Sequence, residues 1–370
     1  MKAIISGGGT GGHIYPALAI AKTLKEKGWD ILYLGSKGGL EGEIVPQAGL
    51  DYQEISVAPL SRKLSPKLLS AFFKTSLGLV QARKIIKTFK ADVVLGTGGY
   101  VAGPVVLAAS FMNIPTVIHE QNVYPGLTNK LLAKRVDLIA LNFADAKKYF
   151  PARVKASYKV TGNPIRNVIL ETSRSKGFQK FSLNPKKKTI LVFGGSQGAM
   201  SINDAMIDVY KYYARKKSIQ IIHSTGKKNY QKYIEKLSSQ GINIDNYDNY
   251  KIMPYLNKIE YAYAVADLII ARAGATGIAE ITAKGIPAIL VPYPHAAENH
   301  QEYNARTLEK NNAAKVILDQ DLNGEILLEE LKRLLGEEEI LKFMSLNSKK
   351  IAHTNARELI VGILEEISSY

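Results

Sequence analysis

The chain has 370 residues, 46% hydrophobic and 22% charged, with 49 basic side chains against 33 acidic ones for a formal net charge of +16. That length points to two domains, and the hydrophobic fraction is that of a soluble globular protein. Cysteine is absent, which excludes disulfides and thiolate metal sites, while the positive balance points to an anionic partner: nucleic acid, a membrane surface or a phosphorylated substrate.

The first strand expected is "KAIIS", with neither a basic n-region nor an apolar h-region ahead of it. No stretch approaches the roughly 18 uninterrupted apolar residues that a spanning helix needs. An intracellular protein, soluble or attached to a surface, is expected. "KAIIS" breaks into "GGGTGGH", followed by the helical pattern "PALAIAKTLKEKG". Gly7, Gly9 and Gly12 fit G-x-G-x-x-G between a strand and a helix, where missing Cβ atoms and free N–H groups suit a phosphate. A dinucleotide site also wants an acid at the end of the next strand. That strand, "DILYLGSKG", carries Asp30 at its start and Gly35 and Ser36 at its end, so NAD is not expected.

Between Ser61 and Lys90 lie Arg62, Lys63, Lys67, Lys74, Arg83, Lys84, Lys87 and Lys90 without a single acid, interleaved with Leu64, Leu68, Leu69, Phe72, Phe73, Leu77, Leu79 and Val80. Two readings are open: a helix with an apolar core face and a solvated basic face, or a membrane-surface element held by anionic lipid. The acid-free run favours the second. "ADVVLGTGG" and "IPTVIHEQ" then read as strands, with "GPVVLAASFMN" as the helix between them.

A stretch rich in Lys, Ser, Asn and Pro, from Thr161 to Lys188, marks the domain boundary. After it the pattern restarts with "KKTILVFGGSQGAMSINDAMIDVYKYYARK", "IQIIHSTG", "ADLIIARAG" and "IPAILVPYP". "KAIISGGGTGGH" is echoed by "KTILVFGGSQGA", and "DVVLGTGGYVAGPVVLAA" by "DLIIARAGATGIAEITAK", in the same order. Alternating strands and helices mean parallel sheets with right-handed crossovers. The expected fold is therefore α/β: two Rossmann-like, doubly wound parallel-sheet domains facing across a cleft. We place an N-terminal domain at 1–163, a C-terminal domain at 164–340, and a C-terminal helix in 341–370 that packs back on the first. Ligands of such sheets gather at the carboxyl ends of strands. The residues there are Thr10 to His13, Gly98 to Tyr100, His119 to Asn122, Ser196 to Gly198, Gly274 to Glu280 and "HQEYNA". Small residues, amides and hydroxyls suit a phosphate-and-sugar ligand. They argue against nucleic acid, which wants exposed aromatics beside the basic run.

Seven motifs in order, "GGTGGH", "GTGGYVAGPVVLAA", "HEQNVYPGLTNK", "TGNPIR", "GGSQGA", "ARAGATGIAEI" and "GIPAILVPYPHAAENHQEYNA", resemble the bacterial peptidoglycan N-acetylglucosaminyltransferase family over about residues 1–320. The resemblance implies a GT-B fold, UDP-GlcNAc as donor and lipid I, an undecaprenyl-linked MurNAc-pentapeptide, as acceptor. It implies that Thr10, Gly11 and Gly12 line the catalytic end of the site with His13 beside the acceptor hydroxyl. Gly98, Gly99 and Tyr100 form an acceptor-side loop, and Asn122 meets the donor sugar. Arg166 is a donor-site arginine, Ser196 and Gln197 hold the diphosphate, and the backbone from Ile252 to Leu256 reads the uracil edge. Ala275 and Thr276 cap a helix aimed at the phosphates, Glu280 accepts from the ribose hydroxyls, and Gln301 and Asn304 hold GlcNAc hydroxyls. Thr276 departs from the family pattern, which has a leucine there, so its hydroxyl serves either phosphate or the helix end.

On this reading the acceptor lipid gives the basic segment a partner: an anionic membrane surface at the cytoplasmic face, contacted by Arg62, Lys63, Lys67, Phe72, Phe73 and Lys74. The single D-x-D, Asp319-Gln320-Asp321, precedes a helical pattern and reads as a helix-start pair, so no metal and no cofactor is expected. Two residues are candidates for the base that takes the acceptor's proton. His13 leads, because its ordinary pKa of about 6.5 suits proton acceptance near neutrality; a helix-capping or phosphate-contact role is its alternative. Glu120 is the weaker candidate, and His119 is expected to position its loop. His223 reads as strand core, His353 as helix surface, and His295 and His300 as loop residues. One displacement by the acceptor hydroxyl inverts the anomeric centre. The alternative activity is another GT-B nucleotide-sugar reaction, by a glycolipid glycosyltransferase or a UDP-GlcNAc epimerase.

Overall fold

The structure, a computed structural model, describes residues 1–59, 66–195 and 197–369, with the backbone alone for 66–69 and 215. Arg62, Lys63 and Ser196 lie outside the described residues, as does the side chain of Lys67. The chain divides into two compact units, Met1–Ile165 with His353–Tyr370, and Arg166–Ala352.

The first unit runs β1 (Lys2–Ser6), α1 (Gly11–Glu26), β2 (Asp30–Ser36), α2 (Glu41–Gln47), β3 (Asp51–Ile55), α3 (Pro66–Phe89), β4 (Val93–Gly96), α4 (Gly99–Phe111), β5 (Thr116–Glu120), α5 (Leu127–Leu132), β6 (Leu138–Leu141) and β7 (Ser157–Val160). Its sheet has the order β3-β2-β1-β4-β5-β6-β7, and every pairing is parallel. Strands such as β1 and β4 are buried on both faces, which is why they read as unbroken apolar runs rather than alternating ones. Ile5, Val93 and Leu95 point into one core with Ile14, Ala17, Ile20 and Leu24 of α1. Ile4, Val94 and Ile118 point into the other with Ala82 and Ile86 of α3 and Val105 and Val106 of α4.

The second unit runs α6 (Asn167–Glu171), α7 (Arg174–Phe181), β8 (Lys188–Phe193), α8 (Met200–Lys216), β9 (Ile219–Ser224), α9 (Tyr230–Ser239), β10 (Tyr250–Met253), α10 (Ile259–Val265), β11 (Leu268–Ala271), α11 (Ala275–Lys284), β12 (Ala288–Leu290), α12 (His300–Lys310), β13 (Ala314–Val316), α13 (Gly324–Gly336) and α14 (Glu338–Lys350). Its parallel sheet has the order β10-β9-β8-β11-β12-β13. A last helix, α15 (Ala356–Ser368), adds Ile360, Val361, Ile363 and Leu364 to the α1 side of the first unit's core. Of the segment 341–370, α14 therefore stays with the second unit and α15 belongs to the first.

In each sheet the strand order reverses between two neighbours, β1 and β4 in one and β8 and β11 in the other. The glycine turns of the sequence follow these four strands. Such reversal points open a crevice at the carboxyl ends where connections leave in opposite directions.

Two helices begin earlier than their sequence pattern suggests. Pro16 and Pro104 resemble first-turn prolines, yet α1 and α4 start at Gly11 and Gly99 and hold them inside. An interior proline has no N–H to offer, so the carbonyls of Gly12 and Tyr100, four residues before each, lose their usual helical donor. His353 lies in the loop between α14 and α15 rather than on a helix surface. A Cβ on Gly162, whose φ is +82°, would stand 2.1 Å from the Cβ of His353, so glycine is required there.

Candidate functional site

In the first unit the loops after β1 and β4 interlock. Gly8 donates its N–H to the carbonyl of Gly98 at 3.4 Å. Gly99 has φ +80°, and a Cβ on it would stand 2.3 Å from the carbonyl oxygen of Gly8. Only glycine allows both the left-handed backbone and the close approach. Thr10 precedes α1 in extended conformation and makes no side-chain cap. Gly11 and Gly12 begin that helix, at the end where donors and positive potential collect.

His13 is half-buried and held at two points by one residue. Its Nδ1 lies 3.0 Å from the carbonyl oxygen of Thr97, and the Thr97 hydroxyl donates to the carbonyl of His13 at 2.9 Å. A carbonyl only accepts, so Nδ1 carries the hydrogen and Nε2 is left as the basic nitrogen. Gln121 donates to the same Thr97 carbonyl at 2.6 Å. Neither Thr97 nor the orienting role of Gln121 is legible in the motifs, since each acts through a partner distant in sequence.

His119, fully buried, contacts the Gly162 carbonyl through Nε2 at 2.9 Å and accepts from Gln121 through Nδ1 at 3.1 Å. Burial pushes its pKa down to about 4, against the lesser effect of the Gly162 hydrogen bond, so the ring is neutral. Glu120 is equally buried. Its carboxylate accepts from the N–H and Nδ2 of Asn122 at 2.9 and 3.3 Å, the N–H of Gly126 at 3.0 Å and Nδ2 of Asn129 at 2.8 Å. Four donors converge on it and it shapes the loop that carries Asn122. Burial raises its pKa, and these hydrogen bonds oppose the rise.

In the second unit Gly198, at φ +76°, closes the loop after β8, where a Cβ would stand 2.0 Å from the Thr225 carbonyl oxygen. Gln197 is exposed and its carbonyl accepts from Asn229 at 3.4 Å. Ile252 and Leu256 bury their side chains and so can offer a ligand only backbone. Gly274 and Ala275 open α11, and the Thr276 hydroxyl beside them is buried with no hydrogen-bond partner among the described residues. Glu280, one turn on, is 6% exposed and receives Nη2 of Arg166 at 3.3 Å. Burial raises its pKa, with Arg166 opposing. Gln301 accepts from the N–H groups of Ala273 and Tyr293 at 3.1 and 3.0 Å, which leaves its amide nitrogen to donate. Asn304 is buried and donates to the Ala273 carbonyl at 3.2 Å.

Asp319 of the D-x-D accepts from Arg272 at 2.5 Å and from Ser201 at 2.6 Å. Arg272 also donates to the carbonyls of Val291 and Pro292 at 3.2 and 3.1 Å, so this acid ties loops together. Among the described residues no group of three or more His, Asp or Glu side chains is placed to hold a metal ion.

Residues 3–141 match the glycosyltransferase family 28 N-terminal domain and residues 189–360 its C-terminal domain. The chain is 54% identical over 366 residues, 99% of each chain, to the UDP-N-acetylglucosamine--N-acetylmuramyl-(pentapeptide) pyrophosphoryl-undecaprenol N-acetylglucosamine transferase of Halothermothrix orenii. The chain belongs to glycosyltransferase family 28, within its MurG group. The transferase of the same description from Desulforamulus reducens is 45% identical over 369 residues, 99% of each chain. The crystal structure of Acinetobacter baumannii MurG superposes with a TM-score of 0.80 at 29% identity, over 99% of each chain. UDP-GlcNAc 2-epimerase from Neisseria meningitidis, solved with UDP-GlcNAc, gives a TM-score of 0.70 at 17% identity over 99% of this chain and 100% of that one, a likeness of fold alone. The expected two-sheet α/β fold and the resemblance to the bacterial peptidoglycan N-acetylglucosaminyltransferase family thus agree with structure and relatives.

Proposed function

We propose that the chain transfers N-acetylglucosamine from UDP-GlcNAc to the 4-hydroxyl of the muramyl sugar of undecaprenyl-pyrophosphoryl-MurNAc-pentapeptide, forming lipid II for peptidoglycan synthesis. The observation that carries this reading is the 54% identity to the Halothermothrix orenii transferase over 99% of both chains. A two-substrate transferase needs both of its units, and the likeness spans both.

We assign the first unit to the acceptor and the second to the donor. Glu280 takes the ribose hydroxyls, the backbone from Ile252 to Leu256 the uracil, and the loop of Ser196 and Gln197 the diphosphate. Gln301 offers its amide nitrogen to GlcNAc while Asn304 holds the loop beneath it, and Asn122 meets the same sugar. Charge grows on the departing UDP, and the N–H groups and dipole of α11, with the Thr276 hydroxyl, stabilise it. Asp319 is engaged by Arg272, and transfer proceeds without metal. Nε2 of His13 takes the acceptor's proton as the oxygen attacks, a role worth about 10²- to 10⁴-fold. The α-linked donor becomes a β-linked product by one inverting displacement. Glu120, with four hydrogen bonds to its own loop, serves as its organiser.

The chain reaches its lipid acceptor as a peripheral protein at the cytoplasmic face of the membrane. Phe72 and Phe73 on α3 are 69% and 72% exposed, with Lys74 beside them and Arg83, Lys84 and Lys87 further along. On the same helix Ala71, Ala82 and Ile86 are buried. Among the described residues no helix is long and apolar enough to cross a membrane.

The test is transfer of labelled GlcNAc from UDP-GlcNAc to a short-chain lipid I analogue, with and without EDTA. Equal transfer in both supports the reading. No transfer, with UDP or an epimer formed in the absence of acceptor, replaces it with the epimerase alternative.

A further inference from the structure

Under the first glycine loop lies a carboxylate that the mechanism above does not use. Glu41, the first residue of α2, is 0% exposed. Its Oε1 accepts from the N–H of Ser36 at 2.8 Å and the hydroxyl of Ser36 at 2.6 Å, and its Oε2 accepts from the N–H of Gly9 at 3.3 Å. Among the described residues no basic side chain forms an ion pair with it. Three glycines make its room: a Cβ on Gly8 would stand 2.6 Å from Oε1, one on Gly39 2.5 Å from Oε1, and one on Gly35 2.6 Å from its Cγ. A buried anion without a counter-ion is costly unless donors surround it, and here the donors come from the β1 loop and the end of β2.

The contact reaches both loops of the acceptor side. Gly9 has φ +81°, and a Cβ on it would stand 3.1 Å from the Tyr100 ring. The Ser36 hydroxyl that donates to Glu41 also lies 3.3 Å from the Tyr100 hydroxyl. One side chain thus fixes Gly9, just before Thr10 and the start of α1, and Ser36, which supports Tyr100 at the start of α4. We propose that Glu41 is a positioning residue for the acceptor: it fills the anion position behind the first glycine loop, holds that loop and Tyr100 in register, and leaves only the outward N–H groups at the start of α1 for the acceptor's diphosphate. The inference rests on the transferase reading above.

Glutamine has the same shape as glutamate but only one accepting oxygen. In Glu41→Gln, one orientation of the amide satisfies Ser36 and sets an NH₂ against the Gly9 N–H; the other satisfies Gly9 and sets it against the Ser36 N–H. The variant therefore tests the carboxylate without opening a cavity. It is compared with the unaltered full-length chain for transfer to the short-chain lipid I analogue, for UDP binding, and for amide hydrogen exchange at residues 7–12. We expect acceptor KM to rise about tenfold, donor KM and UDP affinity to stay within about twofold, and exchange at Gly9 to quicken at least about tenfold, as loss of one buried hydrogen bond implies. Ser36→Ala, which keeps the carboxylate and its Gly9 contact, is expected to raise acceptor KM about threefold, and it carries the test if Glu41→Gln does not fold. Unchanged acceptor KM in the folded variants overturns the proposal, and so does a matching loss on the donor side, which marks mere destabilisation. If the unaltered chain makes no product, the transferase reading fails, and the exchange rate at Gly9 alone still decides whether Glu41 holds the loop.

Discussion

The two units share the order of their first six strands and place their glycine loops at the same reversal of strand order, but they treat the polar groups of those loops differently. In the first unit the groups are bound to the protein itself. Gly8 donates to Gly98, Gly9 to Glu41, and His13 to Thr97. In the second, Thr276 keeps a buried hydroxyl without a partner among the described residues, and the buried Glu280 accepts from the half-exposed Arg166. A preformed surface suits an acceptor whose hydroxyl must be aligned beside a base. Open donors and a carboxylate suit a nucleotide that brings its own charges and hydroxyls. The difference teaches that a glycine loop after a strand specifies a turn, while neighbours remote in sequence decide whether that turn remains available to a phosphate.

Five substitutions or conditions would sharpen or break this division. The largest effect is expected from His13→Ala: kcat should fall by about 10³-fold while UDP affinity measured by calorimetry stays unchanged. A variant that keeps its rate would retire His13 as the base. Next come two glycines that test the units against each other. Gly198→Ala forces a Cβ to 2.0 Å from the Thr225 carbonyl oxygen and should weaken UDP binding about 100-fold, the effect of roughly 3 kcal/mol of strain. Gly99→Ala should spare UDP binding and raise acceptor KM instead; an equal loss of UDP affinity in both would end the division of labour. A smaller change is expected from replacing Phe72 and Phe73 together by serine. Partition onto vesicles containing anionic lipid should drop about tenfold to thirtyfold, with transfer to a short-chain acceptor in detergent retained.

The smallest effect concerns pH. Burial lowers the pKa of His119 in the first unit to about 4 and of His223 in the second to about 3, from the ordinary 6.5. Both rings fold neutral, whereas the unfolded chain takes up a proton below pH 6.5. Their contribution to stability is complete above that pH and is lost as pH falls towards each folded pKa, by about 1.4 kcal/mol per pH unit for each residue. Urea midpoints should therefore hold steady from pH 8 to 7 and decline from 6.5 to 5. In His223→Gln, which removes the titrating group, the decline should be shallower by about half; an unchanged slope would show that the two rings do not govern it.

Much of the fold was legible because both sheets are buried on two faces and parallel. β1, β2, β4, β5, β8, β9, β11 and β12 announce themselves as β-branched runs that stop at glycine, asparagine or proline. The outer strands do not: β3 is "DYQEI", β7 is "SYKV" and β13 has three residues, too short or too polar for a pattern. Prolines at 16 and 104 hid the true starts of α1 and α4. The candidate site residues were legible where they follow a strand directly, as His13 and Glu280 do. Glu41 was not, since "LEGEIVPQ" reads like the solvated start of a helix, and a carboxylate's burial depends on which glycines leave room for it. Asp319 read as half of a helix-start pair, and its real partner was out of sight in the sequence: Arg272, 47 positions away, takes its oxygen at 2.5 Å.

The return of α15 to the first unit has a consequence for how the chain is made. Four of its residues, Ile360, Val361, Ile363 and Leu364, complete a core that began with Ala3 and Ile5. During synthesis that core stays open while residues 166–352 emerge, so the unit translated later holds all its own parts first. Domains generally fold in the order of translation; here completion runs in reverse. For as long as the ribosome is still adding residues 166–352, the apolar side of α1 awaits its cover, and a chaperone that captures exposed α1 would meet its substrate in that interval.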